Sequence, residues 1–223
     1  MSLKENLSHI YNSIPENVKI VAVSKTHTIA EIMEAYQAGH RIFGENRAQE
    51  ILSKYPLLPG DIEWHFIGHL QSNKVKHIIA FTACIESVDS FSLLKEINKQ
   101  AQINNRIINC LLQFHIASES SKFGLDFDEA VEMLQSEDFL KMQNIKITGV
   151  MGMATFTDDV ALIRKEFRNL RNIFLKLKSD YFRHQEEFKE ISMGMSGDYQ
   201  IAISEGSTMV RIGTAIFGER NIN

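Results

Sequence analysis

The architecture of the chain depends on one stretch near the N-terminus, Ile20-Val21-Ala22-Val23-Ser24-Lys25-Thr26-His27. Its apolar half predicts a buried strand at residues 19–23, because parallel strands covered on both faces are continuous apolar runs. In a doubly wound dinucleotide-binding sheet, the first strand leads directly into a glycine-rich G-x-G-x-x-G turn. This stretch contains no glycine, so the sequence favours a closed (β/α)8 barrel over the open sheet.

The same alternation continues along the chain. Runs rich in β-branched and aromatic residues alternate with longer segments of helical period, which predicts βαβ units around a parallel sheet. Eight strands are predicted, at residues 19–23, 41–43, 63–67, 83–87, 107–114, 145–150, 188–192 and 209–217. Helices are predicted at residues 30–38, 48–54, 72–80, 91–102, 128–134, 160–178 and 199–204, and an extra N-terminal helix carries Leu3, Leu7, Ile10 and Ile14 on one face.

Composition fits one such barrel. The chain has 223 residues, and its three prolines and 12 glycines leave no room for a long flexible linker, so residues 1–223 are expected to form a single domain. The net charge of −4 argues against a nucleic-acid partner. The sequence has no secretion signal and no apolar run of the roughly 18 to 20 residues that span a bilayer. We therefore expect no membrane association and a cytoplasmic location, with Cys84 and Cys110 as buried free thiols.

The carboxyl ends of barrel strands, where function is located in this architecture, single out Lys25. Strand alternation puts Val21, Val23 and Lys25 on one side; if that side faces the interior, Lys25 projects into the barrel mouth. Burial there disfavours the ammonium form, and a neutral amine can form a Schiff base with a carbonyl. The alternative is a lysine that merely extends into solvent from a strand end.

A phosphate site is predicted from the loops after the last two strands. Such barrels often bind phosphate there, together with the start of a short helix. The run Ser192-Met193-Gly194-Met195-Ser196-Gly197-Asp198 supplies small residues before a short helix, while Gly213 and Thr214 offer a second close backbone approach and a hydroxyl. The alternative is that these glycines simply make turns. An amine and a phosphate site in one mouth suggest a phosphorylated aldehyde, and pyridoxal phosphate is the common one.

The histidines do not predict a metal site. His65 and His69 are four residues apart but lie on either side of a strand end, without a nearby cysteine or an H-E-x-x-H motif. We expect His65 to be a structural histidine that lines the barrel.

At these residues the sequence resembles the pyridoxal phosphate homeostasis protein family, over essentially the whole chain. The motifs that carry the resemblance are Ile20-Val21-Ala22-Val23-Ser24-Lys25, Phe43-Gly44-Glu45-Asn46, Trp64-His65-Phe66-Ile67-Gly68-His69-Leu70-Gln71-Ser72-Asn73-Lys74, Ser121-Lys122-Phe123-Gly124, Met151-Gly152-Met153, the run from Ser192 to Asp198, and Gly206-Ser207-Thr208-Met209-Val210-Arg211-Ile212-Gly213.

The resemblance implies a fold-type III pyridoxal-phosphate-binding barrel, related to the N-terminal domain of alanine racemase. It implies that the cofactor is pyridoxal 5'-phosphate and that Lys25 is the Schiff-base lysine. On the same basis Arg211 would lie near the pyridine nitrogen and Asn46 would border the ring. The residues that would hold the phosphate are Ser196, Gly213 and Thr214.

Two function classes remain. Racemisation needs an acid–base group on each face of the substrate, and alanine racemases take one from a tyrosine near a partner's C-terminal β-domain. Here no such β-domain is expected after the eighth strand. No tyrosine falls in a strand-end loop, and an arginine opposite the pyridine nitrogen would weaken the cofactor as an electron sink. We therefore expect a non-enzymatic monomer that buffers or delivers the cofactor inside the cell and contacts cofactor-free enzymes transiently. The alternative is a pyridoxal-phosphate-dependent amino-acid racemase or a related fold-type III enzyme.

Overall fold

Eight parallel strands close into a barrel in the computed structural model of the protein, which describes residues 2–118 and 123–219. They are β1 (Lys19–Val23), β2 (Ile42–Glu45), β3 (Glu63–Phe66), β4 (Thr82–Val88), β5 (Ile108–Gln113), β6 (Ile145–Met151), β7 (Glu190–Met195) and β8 (Met209–Ile212). Each strand pairs with the next, and β8 pairs with β1 in a register that places Val21 beside Arg211. The predicted (β/α)8 barrel is therefore confirmed.

Helices cover the outside of the barrel. Within the described residues they are α1 (Leu3–Ser13), α2 (Ile29–Gln37), α3 (Ala48–Lys54), α4 (Ser72–Ile78), α5 (Phe91–Ile103), α6 (Phe127–Gln135), α7 (Glu137–Leu140), α8 (Val160–Asp180), α9 (Tyr199–Ser204) and α10 (Thr214–Phe217). A 3-10 turn, Tyr55–Leu57, follows α3. The extra N-terminal helix is confirmed as α1. It begins with a capping box between Ser2 and Glu5, and it buries Leu7 and Ile10. No helix in the two described ranges combines the length and apolar character that crossing a bilayer requires.

The prediction of a single long strand at residues 209–217 is wrong. β8 ends at Ile212, and the apolar residues after Gly213 form α10 instead. They bury Ile216 against α1, where the Asn6 side chain donates a hydrogen bond to the Ile216 carbonyl over 3.1 Å. An apolar run of this length does not by itself distinguish a strand from a helix turn packed on a neighbour.

Strand β7 is shifted towards its carboxyl end relative to the predicted residues 188–192. Phe188 lies before the strand and stacks on Phe174 and on Phe182. It is therefore part of an aromatic cluster beside α8 and not of the strand. The strand continues through Gly194, whose φ of +97° favours glycine. A Cβ at this position would lie 2.6 Å from the Cβ of Ala202 on α9, so the small residue lets α9 pack directly on the strand.

The barrel interior is a separate apolar cluster. Its members alternate along the strands with residues of the larger outer core; they are Val21, Val23, Ile67, Cys84, Leu111, Met151 and Met209. Both cysteines are buried free thiols as expected, with Cys84 in this inner cluster and Cys110 in the outer core. Burial raises the pKa of both thiols above the ordinary range.

Candidate functional site

A cavity of about 520 Å³ opens at the carboxyl end of the barrel. Its wall comes from the ends of β1, β2, β3, β6, β7 and β8 and the segments that follow them. All six predicted site residues line it: Lys25, Asn46, Ser196, Arg211, Gly213 and Thr214. The structure therefore brings together side chains and backbone from both ends of the chain, from Lys25 to Thr214.

Lys25 lies where strand alternation placed it. Val21 and Val23 belong to the interior cluster, and Lys25, two residues further on, is partly buried and lines the cavity. The chain then turns at Thr26, whose φ of +67° is uncommon for a β-branched residue. Lys25 is thus carried by the end of a buried strand, which is a rigid support for a reactive side chain.

The predicted phosphate corner is formed by two loops that meet at Ser196. The Ser196 hydroxyl oxygen accepts hydrogen bonds from the backbone N–H groups of Gly213 and Ala215, over 3.2 and 3.4 Å. Asp198, nearby on the cavity wall, accepts a hydrogen bond from the Met195 N–H over 2.6 Å. Burial raises the pKa of Asp198, although this hydrogen bond and the charge of Arg211 oppose the shift.

Arg211 closes the floor of the cavity and is held by a buried chain of hydrogen bonds. Its guanidinium donates to the Ser192 hydroxyl over 2.6 Å and to the Gly152 carbonyl over 3.0 Å. Ser192 in turn donates to a carboxylate oxygen of Glu86 over 2.5 Å. The other carboxylate oxygen accepts from Nδ1 of His65 over 2.6 Å. The network joins β3, β4, β7 and β8 across the barrel, and it confirms His65 as a buried structural histidine.

The charges in this network support one another. Burial alone would raise the pKa of Glu86, but the hydrogen bond and charge of His65, the charge of Arg211 and the Ser192 hydrogen bond outweigh it, so that the pKa is lowered. Burial lowers the pKa of Arg211, while the charges of Glu86 and Asp198 oppose that shift. A guanidinium nevertheless stays protonated in proteins, so Arg211 presents a fixed positive charge to the cavity.

Several cavity residues were missed in the sequence. The segment after β6 was singled out only as far as Met153, yet the lining continues through Asp158 and includes Phe156, which is 96% exposed. His27 also lines the cavity, stacks on Phe217 with ring centroids 4.4 Å apart, and lies 3.1 Å from the Glu31 carboxylate. Its position two residues after Lys25 was the available signal.

Other quoted motif residues lie elsewhere. His69 is outside the cavity lining, hydrogen-bonded to Asp89 over 2.7 Å and stacked on Phe123. Ser121 and Lys122 lie outside the described residues. Asn46, by contrast, lines the cavity and has a buried Oδ1 atom without a hydrogen-bond partner in the described part of the chain.

This chain is similar in sequence to proteins of one family over nearly its whole length. A family model described as alanine racemase, N-terminal domain, matches residues 1–221. A protein of Aquifex aeolicus named pyridoxal phosphate homeostasis protein is 39% identical over 203 residues, which cover 91% of this chain and 87% of the relative. This chain belongs to the pyridoxal phosphate homeostasis protein family. A protein of the same name from Vibrio alginolyticus is 36% identical and covers 99% of this chain and 98% of its own. The resemblance inferred from the motifs is thus confirmed.

Solved structures agree with this assignment. PipY of Synechococcus elongatus, whose structure was solved with pyridoxal phosphate bound, is 34% identical with a TM-score of 0.88, covering 97% of this chain and all of its own. An alanine racemase of Clostridium difficile superposes with a TM-score of 0.76 at 15% identity, over 99% of this chain and 57% of the racemase. The second likeness shows the shared fold alone.

Proposed function

We propose that this protein binds pyridoxal 5'-phosphate as a Schiff base on Lys25 and acts in cofactor homeostasis, by buffering or delivery. The observation that carries the proposal is the convergence of Lys25 and the Ser196 corner on one cavity. The names of its relatives and the cofactor bound in the PipY structure support the same reading.

The residues present fit the cofactor chemically. A cavity of about 520 Å³ is in the range of small-molecule sites. The Lys25 amine can react with an aldehyde. Hydrogen-bond donors for a phosphate are available from the backbone N–H groups of Gly213 and Ala215 and from the hydroxyls of Ser196 and Thr214. The buried Oδ1 of Asn46, which lacks a partner among the described residues, offers an acceptor beside the ring.

Bonding through Lys25 is reversible. Condensation of the amine with the aldehyde forms a C=N bond and releases one water molecule; adding that water back returns the free amine and aldehyde. Arg211 would face the pyridine nitrogen with a fixed positive charge, which disfavours protonation of that nitrogen and weakens the cofactor as an electron sink. This electrostatic arrangement supports a role in holding the cofactor over one in transforming amino acids.

A racemase remains the alternative because the fold is shared with alanine racemase. Racemisation requires a second acid–base group opposite the lysine. Within the described residues no tyrosine lines the cavity, and the titratable side chains there besides Lys25 and Arg211 are His27, Asp158 and Asp198. Because the charge of Arg211 would weaken the cofactor as an electron sink, we propose that the protein is not an enzyme. A turnover of common amino acids of about 1 per second or more by the purified protein would favour the racemase.

Absorbance tests the proposal directly. Protein mixed with pyridoxal phosphate should develop an imine band near the visible edge, and borohydride should fix the cofactor onto the peptide that contains Lys25. Lys25→Ala should abolish both signals, whereas Lys76→Ala, on the exposed side of α4, should leave them intact. A band that survives Lys25→Ala unchanged would refute the assignment.

Delivery requires a second measurement. Mixed with a cofactor-free pyridoxal phosphate enzyme, the loaded protein should restore activity faster than the same concentration of free cofactor. The proposal includes a cytoplasmic monomer that forms one functional unit over residues 1–223 and contacts such enzymes only transiently. Restoration no faster than by free cofactor would limit the role to buffering.

A further inference from the structure

The backbone on both sides of Lys25 is held by two side chains of helix α3. Lys54 donates from Nζ to the Ser24 carbonyl oxygen over 2.8 Å, and that carbonyl belongs to the peptide group preceding Lys25. Glu50 accepts a hydrogen bond from the Thr26 N–H over 2.7 Å, and that N–H belongs to the peptide group following Lys25. We call Glu50 and Lys54 the α3 clamp.

The two clamp residues are coupled to each other and to the strand beneath. They are four residues apart on α3, and Lys54 Nζ lies 3.4 Å from the Glu50 carboxylate. Lys54 is 7% exposed and also contacts Glu45 of β2 over 2.7 Å. The same Glu45 oxygen accepts a hydrogen bond from the Ser24 hydroxyl over 2.7 Å. Burying an unpaired cation costs free energy, so Lys54 would be destabilised if it lost these contacts. The contacts therefore hold its side chain in this position.

Thr26 shows what the clamp must hold. Its φ of +67° lies in the left-handed region, where a β-branched residue is under strain. Its side chain is exposed, and the turn around it is closed by a hydrogen bond from the His27 N–H to the Ser24 carbonyl over 3.1 Å. The Glu50 hydrogen bond is the contact that ties the strained peptide group to the helix.

We propose that Glu50 and Lys54 are positioning residues that direct Lys25 into the cavity by holding both of its peptide groups; this inference rests on the proposed function of Lys25. The strained turn at Thr26 aims the lysine, and the clamp supplies the free energy that keeps the turn in that conformation. Without Glu50, the backbone relaxes and Lys25 samples directions away from the cavity.

The test is a titration of the purified full-length variants with pyridoxal phosphate, followed by absorbance of the imine band and by borohydride trapping. Glu50→Ala removes the acceptor and should weaken binding about tenfold, which corresponds to about 1.4 kcal/mol. A cost of this size is typical of one left-handed residue that is not glycine. Gln49→Ala is the matched control, because Gln49 is exposed on the same helix turn. It should bind as the unmodified protein does.

The decisive variant combines Glu50→Ala with Thr26→Gly. Glycine adopts positive φ without strain, so the double variant should bind within about threefold of Thr26→Gly alone. Thermal unfolding of each variant separates this rescue from a general loss of stability, since a merely structural role of Glu50 would not be repaired at Thr26. If Glu50→Ala does not fold, Lys54→Met with Glu45→Gln removes the other half of the clamp together with its counter-charge, and should weaken binding to a similar extent.

The outcomes are distinguishable. No imine in the unmodified protein refutes the proposed function itself. Imine formation in the unmodified protein, with Glu50→Ala equal to Gln49→Ala, overturns the clamp alone. If Thr26→Gly fails to restore binding to the Glu50→Ala variant, the clamp is overturned as well. If Glu50→Ala does not fold, the result that overturns the clamp is unweakened binding in the double variant Lys54→Met with Glu45→Gln.

Discussion

The Glu86 carboxylate and the Arg211 guanidinium lie 3.9 Å apart in the middle of the barrel, bridged by the Ser192 hydroxyl. Arg211 is 3% exposed and Glu86 is fully buried. Removing one partner of such a pair leaves an unpaired charge in the interior, which costs far more than the net contribution of the pair itself. The cavity floor therefore depends on a carboxylate that no ligand needs to touch.

Glu86→Gln should lower the free energy of unfolding by about 3–5 kcal/mol, because it leaves the buried charge of Arg211 uncompensated. Denaturant unfolding measures the change. Ser87→Ala is the control on the same strand, since its buried hydroxyl has no hydrogen-bond partner in the described part of the chain and its loss should be neutral or stabilising. A loss for Glu86→Gln as small as that for Ser87→Ala would show that the network does not hold Arg211.

Glu166 of α8 should make stability depend on pH. Its carboxylate accepts hydrogen bonds from the N–H and hydroxyl groups of both Ser118 and Thr155, over 2.7 to 2.9 Å, and so ties two loops together. Burial would raise the pKa of Glu166, but these hydrogen bonds outweigh it and the pKa is lowered. A lowered pKa contributes stability above the unfolded-state value, and that contribution disappears as the pH falls through the folded-state value.

Glu166→Gln should therefore lower the unfolding free energy at pH 7 by about 1–3 kcal/mol, because an amide leaves some of these donors unpaired. The difference from the unmodified protein should shrink in acid, which unfolding curves between pH 7 and pH 3 would record. Glu186→Gln, at an exposed position after α8, should show neither effect. A difference that stays constant with pH would contradict the assignment to the carboxylate.

Gly194→Ala should destabilise the fold by about 2 kcal/mol or more, because the added Cβ meets Ala202 in a backbone conformation that already disfavours alanine. The shift of α9 that relieves this clash would also move the wall that carries Ser196. Gly60→Ala, where an added Cβ has no neighbour within 4 Å, should leave the melting temperature nearly unchanged. Equal melting temperatures for the two variants would show that α9 adjusts without cost.

Ser196→Ala should weaken binding of inorganic phosphate, and of pyridoxal phosphate, by about tenfold or more, since a hydrogen bond to a charged group contributes about 1.5–3 kcal/mol. Competition between inorganic phosphate and the cofactor, followed through the imine band, measures both affinities. Ser179→Ala, at the end of α8, serves as the control and should bind normally. Unchanged phosphate competition in Ser196→Ala would move the phosphate site away from this corner.

Local patterns predicted most of the fold because a barrel strand is a short apolar run and its carboxyl end is where side chains meet. Lys25 and the loop from Ser192 to Asp198 were found in this way, whereas the phosphate role of Ser196 in particular was implied by the family resemblance. The Arg211 network was not found, because Ser192, Glu86 and His65 carry no common spacing and meet only across the closed barrel. The turn at Thr26 was missed for a different reason: a threonine does not predict a positive φ, and the Glu50 carboxylate that accepts from its N–H lies 24 residues away in the chain.

The pairing of β1 with β8 bears on what happens when a ligand leaves. Among the eight described strands, each has a hydrogen-bonded neighbour on both sides, so none presents the unpaired edge that promotes joining to a strand of another molecule. The cavity is built from strand ends and loops at one end of this closed ring of strands. Binding and release of a ligand as proposed would therefore leave this closed ring of strands intact and would open no route to strand-mediated aggregation.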